Sequence, residues 1–492
     1  MLAELDAMAD VLERNELRHL KEWAGRDVRK PLVVRGARQV GKSTLVREFA
    51  RASGMSLVDI NLERDPELGE AFAGNDPARI VSTLSLMTGQ PIATGESVLF
   101  LDEIQAVPKA LAALRYFHEE MPGLHVVAAG SLLELALRER EFSMPVGRVE
   151  FLHLGPMDFE DFLVAVGRPQ LAEYLRSFSL DEDVPDALHR QYLDLLRQYW
   201  VVGGLPEAVS AYVSTPGVQP GDFASVARVQ QNVLAAYRDD FSKYSHGRLR
   251  DRVQLVFDRL PGMVGRKFKF AGVSRDHRAA ELADALAHLC MARVAWRVRR
   301  TAANGLPLDA EVNERYFKCL TMDVGMMCAA LRLSVIDLGH EPLELVNNGA
   351  VAEQYVGQHL LMGGPPYETP ALHYWAREAR NATAEVDYVL GIGRRVVPVE
   401  VKAGKTGSLR SLHRFVAEKS SDLAIRFNAD TPSLLRDTRR LADGSEIDYR
   451  LLSLPLYLAG QVRRLAGLTG HPAHRSTAAS GCPAPSEAMN PQ

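Results

Sequence analysis

Gly36-Ala37-Arg38-Gln39-Val40-Gly41-Lys42-Ser43 is the stretch on which the fold turns. It satisfies G-x-x-x-x-G-K-[ST], and its flanks are the ones such a loop needs. PLVVRG (31–36) reads as a short buried strand, and STLVREFARAS (43–53) as a helix that begins inside the loop. The glycines let backbone N–H groups turn inward around phosphates, and the helix N-terminus adds a favourable dipole. The pattern therefore predicts a cradle for ATP and Mg²⁺ built from Gly36, Ala37, Arg38, Gln39, Val40, Gly41, Lys42, Ser43 and Thr44. Lys42 would reach the β- and γ-phosphates, and Ser43 would ligate Mg²⁺.

Outward from the loop, SLVDINLE (56–63), SVLFLDE (97–103) and HVVAAGS (125–131) read as strands separated by helical stretches, the pattern of a parallel α/β sheet. The apolar strand ending at Asp102 and Glu103 supplies the acidic half of the site: Asp102 would hold Mg²⁺ through water, and Glu103 would orient the attacking water. Ser131 reads equally as a polar sensor of the γ-phosphate and as a turn-forming serine after glycine. Arg148, in PVGRVEF (145–151), reads either as an arginine finger acting across a subunit boundary in a homo-oligomer or as a surface arginine.

The remaining sequence is too long for one core: 492 residues predict two to four domains. With 47% hydrophobic and 24% charged residues and a net charge of −4, the whole molecule is not a polycation. Cys290, Cys319, Cys328 and Cys482 show no zinc spacing, which suits a reduced, cytoplasmic setting. No apolar stretch is long enough to span a membrane. From Phe151 the pattern becomes mostly helical, with HLGPMDFEDFL (153–163) and QYWVVGGLPEAVSAYV (198–213) the most distinctive segments. Residues 250–335 alternate short helices with a strand, MARVAWRVRR (291–300), and a turn, an order that suits a winged helix. A further domain opens near Val346 with a helix (349–362) and strands near 372–377, 385–392 and 395–402. The expected divisions are 1–150, 151–245, 246–340, 341–465 and a disordered tail, 466–492.

Several of these motifs resemble one family. GARQVGKSTLVREF, INLE, VLFLDEIQAVP and AAGSLLEL, followed by PMDFEDFL, GGLPEAV, YRDDFSKY, YFKCLTMDVGMM and EVDYVLGIGRRVVPVEVKAG, are similar to predicted AAA-type ATPases of bacteria and archaea with a C-terminal domain of unknown function. The resemblance spans about residues 15–410. It implies an AAA-type P-loop core, a winged-helix-like middle and a restriction-endonuclease-like α/β domain. Two departures stand out: no arginine follows the helical segment as a second sensor, and Ser43 stands where threonine is commoner.

In the last domain, strand alternation puts Glu385 and Asp387 on one face and Glu400 and Lys402 on another, and across a hairpin the two faces can coincide. Asp387, Glu400 and Lys402, with Glu353 from the preceding helix, then resemble the D…E-x-K metal site of nucleases; the other readings are a hairpin with solvated charges and a nuclease fold that has lost catalysis and merely binds. Three basic runs (Arg248, Arg250 and Arg252; Arg266, Lys267 and Lys269; Arg293, Arg297, Arg299 and Arg300) read as phosphate contacts of a DNA-binding wing or as solvated faces. The functional expectation is an ATPase coupling nucleotide state to DNA or a partner. The alternatives are an ATP-regulated nuclease and a nucleotide-dependent switch or scaffold.

Overall fold

The computed structural model describes residues 14–131, 133–135, 144–145, 147–213, 221–245, 247–333, 349–379, 382–402, 409–442 and 444–469. The expected tail from 470 onward and Cys482 lie outside them, while residues 466–469 end a helix, Val462–Leu468, packed into the core.

Five strands form the first sheet: β1 (Leu32–Arg35), β2 (Ser56–Asn61), β3 (Ser97–Asp102), β4 (His125–Gly130) and β5 (Glu150–His153). Their order is β2-β3-β4-β1-β5 and every pairing is parallel. Strands β3 and β4 are buried along their whole length, as a parallel sheet covered on both faces requires. Alternate residues face opposite ways. Val33, Leu99, Leu101, Val126 and Ala128 pack with helices Pro77–Thr88 and Pro108–Glu120, whereas Val34, Phe100, Val127 and Ala129 face helix Lys42–Ser53.

That second face does not stop at residue 150. Its core runs on through helices Phe159–Ala165, Asp186–Val202, Pro206–Val213 and Phe223–Tyr244 into the second sheet. The stretch expected as a helical linker is thus part of one continuous interior.

The second sheet has eight strands: β6 (Ala295–Thr301), β7 (Val312–Thr321), β8 (Leu372–Ala379), β9 (Ala382–Ile392), β10 (Arg395–Val401), β11 (Leu423–Asn428), β12 (Ser433–Arg440) and β13 (Glu446–Pro455). The order is β12-β13-β11-β10-β9-β8-β6-β7. The helices expected before the wing are present as Arg248–Arg259 and Ala279–Met291, and β6 and β7 pair antiparallel behind them. Sheet pairing crosses the boundary expected between 340 and 341: β6 pairs in parallel with β8 and carries the hairpin into the carboxy-terminal sheet. A hairpin with an unpaired outer edge on one strand and hydrophobic faces gains more by extending a sheet than by standing in solvent. The β9–β10 hairpin forms as expected, with Val389 opposite Pro398 and Tyr388 opposite Val399.

Three distant segments cross at one point. Gly203 and Gly204, which end helix Asp186–Val202, lie against Gly325 and Met157. A Cβ on Gly204 would sit 2.1 Å from the Met157 carbonyl oxygen, and one on Gly325 would sit 2.5 Å from Gly203 Cα. The fully buried Asp323 carboxylate accepts from the N–H groups of Gly204 (2.7 Å) and Met326 (2.9 Å), and Tyr199 donates its hydroxyl proton to the Met157 carbonyl at 2.6 Å. Burial pushes the Asp323 carboxyl up to about 6 even though the amide donors oppose it.

Because that contact is backbone against backbone, Gly204→Ala cannot be absorbed by a rotamer change. It should lower unfolding free energy by about 1–3 kcal/mol or more, read from denaturant midpoints, whereas Ala208→Gly on the following helix should cost only about 1 kcal/mol. Equal stability of Gly204→Ala and the native chain would show that the crossing is not tightly packed.

Candidate functional site

The loop after β1 carries the sequence motif in the geometry it needs. Gly36 has no room for a side chain, since a Cβ there would lie 2.4 Å from the Leu154 carbonyl oxygen. Gln39 and Gly41 take left-handed backbone angles (φ 64° and 90°), turning the loop before helix Lys42–Ser53 starts. Lys42 is buried and donates to the carbonyls of Gly36 (3.1 Å) and Ala37 (2.7 Å). Burial draws its ammonium down to about 8, with Glu103 and Asp102 pulling the other way. Thr44 lies exposed in the first turn of the helix.

Ser43 Oγ donates to Asp102 Oδ2 at 2.6 Å, so the two residues expected at Mg²⁺ are already neighbours. Burial raises the Asp102 carboxyl, and the Ser43 hydrogen bond works against that rise. Both supply hard oxygen donors, which fits a Mg²⁺ ion completed by water and phosphate. Glu103 leaves the strand in a left-handed conformation (φ 49°), a strained backbone for a non-glycine residue. Its carboxylate is capped from two sides: Gln105 Nε2 donates at 2.6 Å, and Ser131 Oγ lies 3.3 Å from both oxygens. Ser131 therefore meets Glu103 directly. In the sequence Gln105 stands out only as part of VLFLDEIQAVP; its position two residues past the glutamate is the signal that could have found it.

The cradle is also tied to chain far beyond it. Arg38 forms an ion pair with Asp240, and Tyr237, one helical turn earlier, donates to the Arg38 carbonyl at 2.5 Å. Pro206, from GGLPEAV, packs against Gly41. Arg14 donates to the carbonyls of Val40 (3.1 Å) and Gly155 (3.0 Å) and pairs with Asp161 at 3.1 Å.

A further arginine arrives from the second sheet. Arg293, just before β6, has φ 59° and a side chain 10% exposed. It donates to Glu134 at 2.9 Å and to His153 Nδ1 at 2.8 Å, across the carboxyl ends of β4 and β5. Burial, with Arg293 and Arg35 adding to it, drives the His153 ring down to about 3, so it meets Arg293 as a neutral acceptor. The sequence expectation puts Arg293 on a basic wing. Nothing in Met291-Ala292-Arg293 signals a left-handed residue, so its inward turn is not legible there.

Four other arginines of the basic runs are engaged internally as well. Arg299 pairs with Asp309 (2.6 Å), Arg300 donates to the Ala376 carbonyl (2.6 Å), Arg252 pairs with Glu281 (2.7 Å), and Arg297 lies over the Phe317 ring. Arg148 is half exposed and pairs with Glu119 at 2.7 Å.

Glu353, Asp387, Glu400 and Lys402 do come together in the second sheet. Asp387 Oδ2 accepts from the Val401 N–H at 2.9 Å, and Lys402 pairs with Glu400 at 2.6 Å. The expected second metal site is nevertheless corrected: among the described residues, no group of three or more His, Cys, Asp or Glu side chains is placed to hold a metal. The ammonium of Lys318, a residue that no sequence motif marks, lies among the carboxylates at 2.8 Å from Glu385, 3.3 Å from Asp387 and 3.6 Å from Glu353.

No helix among the described residues is long and apolar enough to cross a membrane. Cys290, Cys319 and Cys328 are free thiols.

Comparison with known proteins finds three matching families along the chain. Residues 28–163 match an AAA domain family, residues 193–337 a domain of unknown function (DUF8612), and residues 348–449 a second domain of unknown function (DUF4143). No curated protein matches the chain. Among solved structures, the chain is similar to the Orc1 protein of Aeropyrum pernix in complex with DNA, at 12% identity over 66% of this chain and 94% of that one, with a TM-score of 0.27. It is also similar to the RuvB Holliday junction branch migration motor of Thermotoga maritima (16% identity, 59% and 91% covered, TM-score 0.27). PCH-2 of C. elegans is a third (10% identity, 47% and 72% covered, TM-score 0.26). At such scores these likenesses carry no argument of their own. The family match and the loop-bearing parallel sheet together make the amino-terminal part an AAA-type P-loop ATPase domain, followed by two domains of families without an assigned function.

Proposed function

We propose that this chain hydrolyses ATP at Lys42, Ser43, Asp102 and Glu103 and passes its nucleotide state to the carboxy-terminal half. One observation carries the reading: the phosphate loop and the acidic strand end share a site, and Arg38 of the loop is bonded to Asp240 on a helix far along the chain. Phosphate oxygens would replace the loop carbonyls as partners of Lys42, an exchange that relieves a buried, under-compensated ammonium. Ser43 and Asp102 would hold Mg²⁺, which when bound neutralises phosphate charge. Glu103 would turn from Gln105 and Ser131 to hold the attacking water. The strain at its backbone and the donors around it fit a base kept idle until substrate rearranges them. Arg38–Asp240 and Arg293–Glu134 are the two links through which such a rearrangement would reach the helices and the second sheet.

DNA or a protein partner at the carboxy-terminal half completes this proposal. The internal partners of Arg299 and Arg300 favour a partner other than naked phosphate at the β6–β7 hairpin. A second reading, metal-dependent DNA cleavage, draws on the proximity of Glu353, Asp387, Glu400 and Lys402, and has the Lys318 ammonium against it.

Phosphate release by purified protein with ATP and Mg²⁺, with and without DNA, tests the first reading, and strand cleavage in the same tubes tests the second. Lys42→Ala should bind ATP weakly. Glu103→Gln should keep ATP affinity while hydrolysis slows by a factor on the order of 10²–10⁴. Normal turnover by Glu103→Gln would assign the water to another group.

The depressed Lys42 ammonium sets a pH dependence. Below pH about 8 it is charged before ATP arrives, and above that pH binding of ATP must be accompanied by uptake of a proton from solvent. Affinity should therefore fall toward tenfold per pH unit above about 8. Lys42→Met should bind weakly with no such slope, and an identical slope in both proteins would detach the effect from Lys42.

If Arg148 acts across subunits, releasing Glu119 to meet a neighbour's nucleotide, Arg148→Ala should bind ATP normally and lose turnover. Mixing it with Lys42→Ala should restore part of the activity through hybrid interfaces. A rate per chain that is unchanged on dilution to a monomer contradicts this role.

A further inference from the structure

The second sheet has a gap in its pairing. β6 and β8 run side by side only from Val298 opposite Leu372 to Arg300 opposite Tyr374. β6 then ends at Thr301, while β8 continues to Ala379. Past Tyr374, β8 keeps its antiparallel ladder to β9, with Trp375 opposite Val386 and Arg377 opposite Ala384. On its other side it has no strand partner there among the described residues. A groove of about 830 Å³ opens at this point. Its walls are residues 300–302 and 311–315 of the β6–β7 hairpin, residues 375–377 of β8 and the end of helix Arg410–Lys419.

One interaction shows which groups the free edge presents. Arg300 Nη2 donates to the Ala376 carbonyl oxygen at 2.6 Å, so that carbonyl faces the groove. A strand residue sends its N–H and C=O to the same side, and the Ala376 N–H faces the groove as well. The guanidinium thus stands where the N–H of a neighbouring strand would stand, on an edge that is otherwise open to pairing. The edge is held firm from behind. Trp375 is buried edge-on against Phe415, with ring centroids 5.2 Å apart, and Ala376 is buried too.

Charge around the groove is unevenly paired. Each acid of the walls has a partner: Glu311 accepts from Asn304 at 3.0 Å, Glu314 faces Arg299 at 3.6 Å, and Glu418 serves both Arg377 and Arg414 at 2.7 Å. Three cations meet only neutral groups. Arg300 lies over the Tyr316 ring, 5.3 Å from its centroid, and Lys419 donates to the Asn304 side-chain oxygen at 2.7 Å. Arg315 is exposed, and among the described residues its guanidinium makes no bond.

We propose that this groove takes an extended acidic segment of a partner protein, which adds to β8 as a further strand. A backbone N–H of the segment replaces the Arg300 guanidinium at the Ala376 carbonyl, and its carboxylates meet Arg300, Arg315 and Lys419. Nucleic acid would supply the negative charge, but not the backbone donors and acceptors that an open strand edge requires. The inference names the partner in the function proposed above and rests on that reading for its purpose, whereas the binding itself requires no nucleotide.

The test is fluorescence polarisation of a fluorescein-labelled, capped peptide alternating glutamate and valine, titrated with the full chain in the absence of nucleotide. Saturable binding is expected. The same peptide with lysine in place of glutamate should bind about tenfold or more weakly, and so should a fully N-methylated version, which keeps every charge but loses every N–H. Arg315→Glu should weaken binding to a similar degree with an unchanged thermal melt, and Lys419→Glu takes its place if that variant does not fold. Lys42→Ala should bind the peptide as the native chain does, so a failed ATPase reading leaves this measurement standing. Absence of saturable binding to the native chain overturns the proposal. Equal binding of the N-methylated peptide reduces the contact to charge and overturns the added strand. Displacement of the peptide by a lower concentration of single-stranded oligothymidylate assigns the groove to nucleic acid, and undiminished binding by the charge-reversed variant places the peptide elsewhere; either result also overturns the proposal.

Discussion

The crossing of Gly203–Gly204 with Gly325 and Met157 is the contact on which the rest of the molecule depends. Backbones that approach this closely leave no volume for a Cβ, so segments far apart in the chain are fixed in one relative position. Asp323 then caps helix Val324–Ala330 and bonds Gly204 with the same carboxylate, which turns a steric fit into an oriented one. Two residues on from Gly204, Pro206 rests against Gly41 of the phosphate loop, and Met322 Sδ lies 3.4 Å from the Tyr237 hydroxyl that donates to the Arg38 carbonyl. The packing of the middle helices and the shape of the nucleotide cradle are consequences of a single crossing.

Two buried ammonium groups show how the same chemistry yields opposite sites. Lys42 is desolvated with only distant carboxylates and loop carbonyls for company, and its pKa falls to about 8. It is short of an anion, and a phosphate supplies one. Lys318 is as deeply placed, but Glu353, Asp387 and Glu385 more than offset the cost of burial and hold its pKa up. Its neighbours bear the residual cost instead: burial first, and then Asp387, push Glu353 and Glu400 up to about 7. One lysine is short of an anion, and the other is surrounded by them.

The continuous interior explains why domain divisions drawn from composition do not coincide with structural ones. The face of the parallel sheet carrying Val34, Phe100 and Val127 is covered by helices that also cover the eight-stranded sheet. Apolar patterning reports that a segment is buried, not which neighbour buries it. The β6–β7 hairpin has the residues of a wing, and β8 recruits it because an exposed sheet edge pairs with whatever strand the helices bring alongside.

By itself the sequence determined the parallel core, the phosphate loop, the Ser43–Asp102 pair, the position of Glu103 and the β9–β10 hairpin. Each of these is encoded within a few residues: glycines where the backbone must turn, an apolar run ending in carboxylates, alternation across a tight turn. Only the tertiary structure decided what surrounds them. Ser131 and Gln105 on Glu103, Asp240 on Arg38, Arg293 on Glu134 and Lys318 among the carboxylates are all partners brought together by packing. Their side chains are ordinary in local sequence, since an arginine or lysine on a strand looks the same whether it meets water or a buried carboxylate. Long-range charge pairing leaves no periodicity to read, and it is this pairing that separates a solvated arginine from one turned inward onto Glu134 and a solvated carboxylate cluster from one held by a buried lysine.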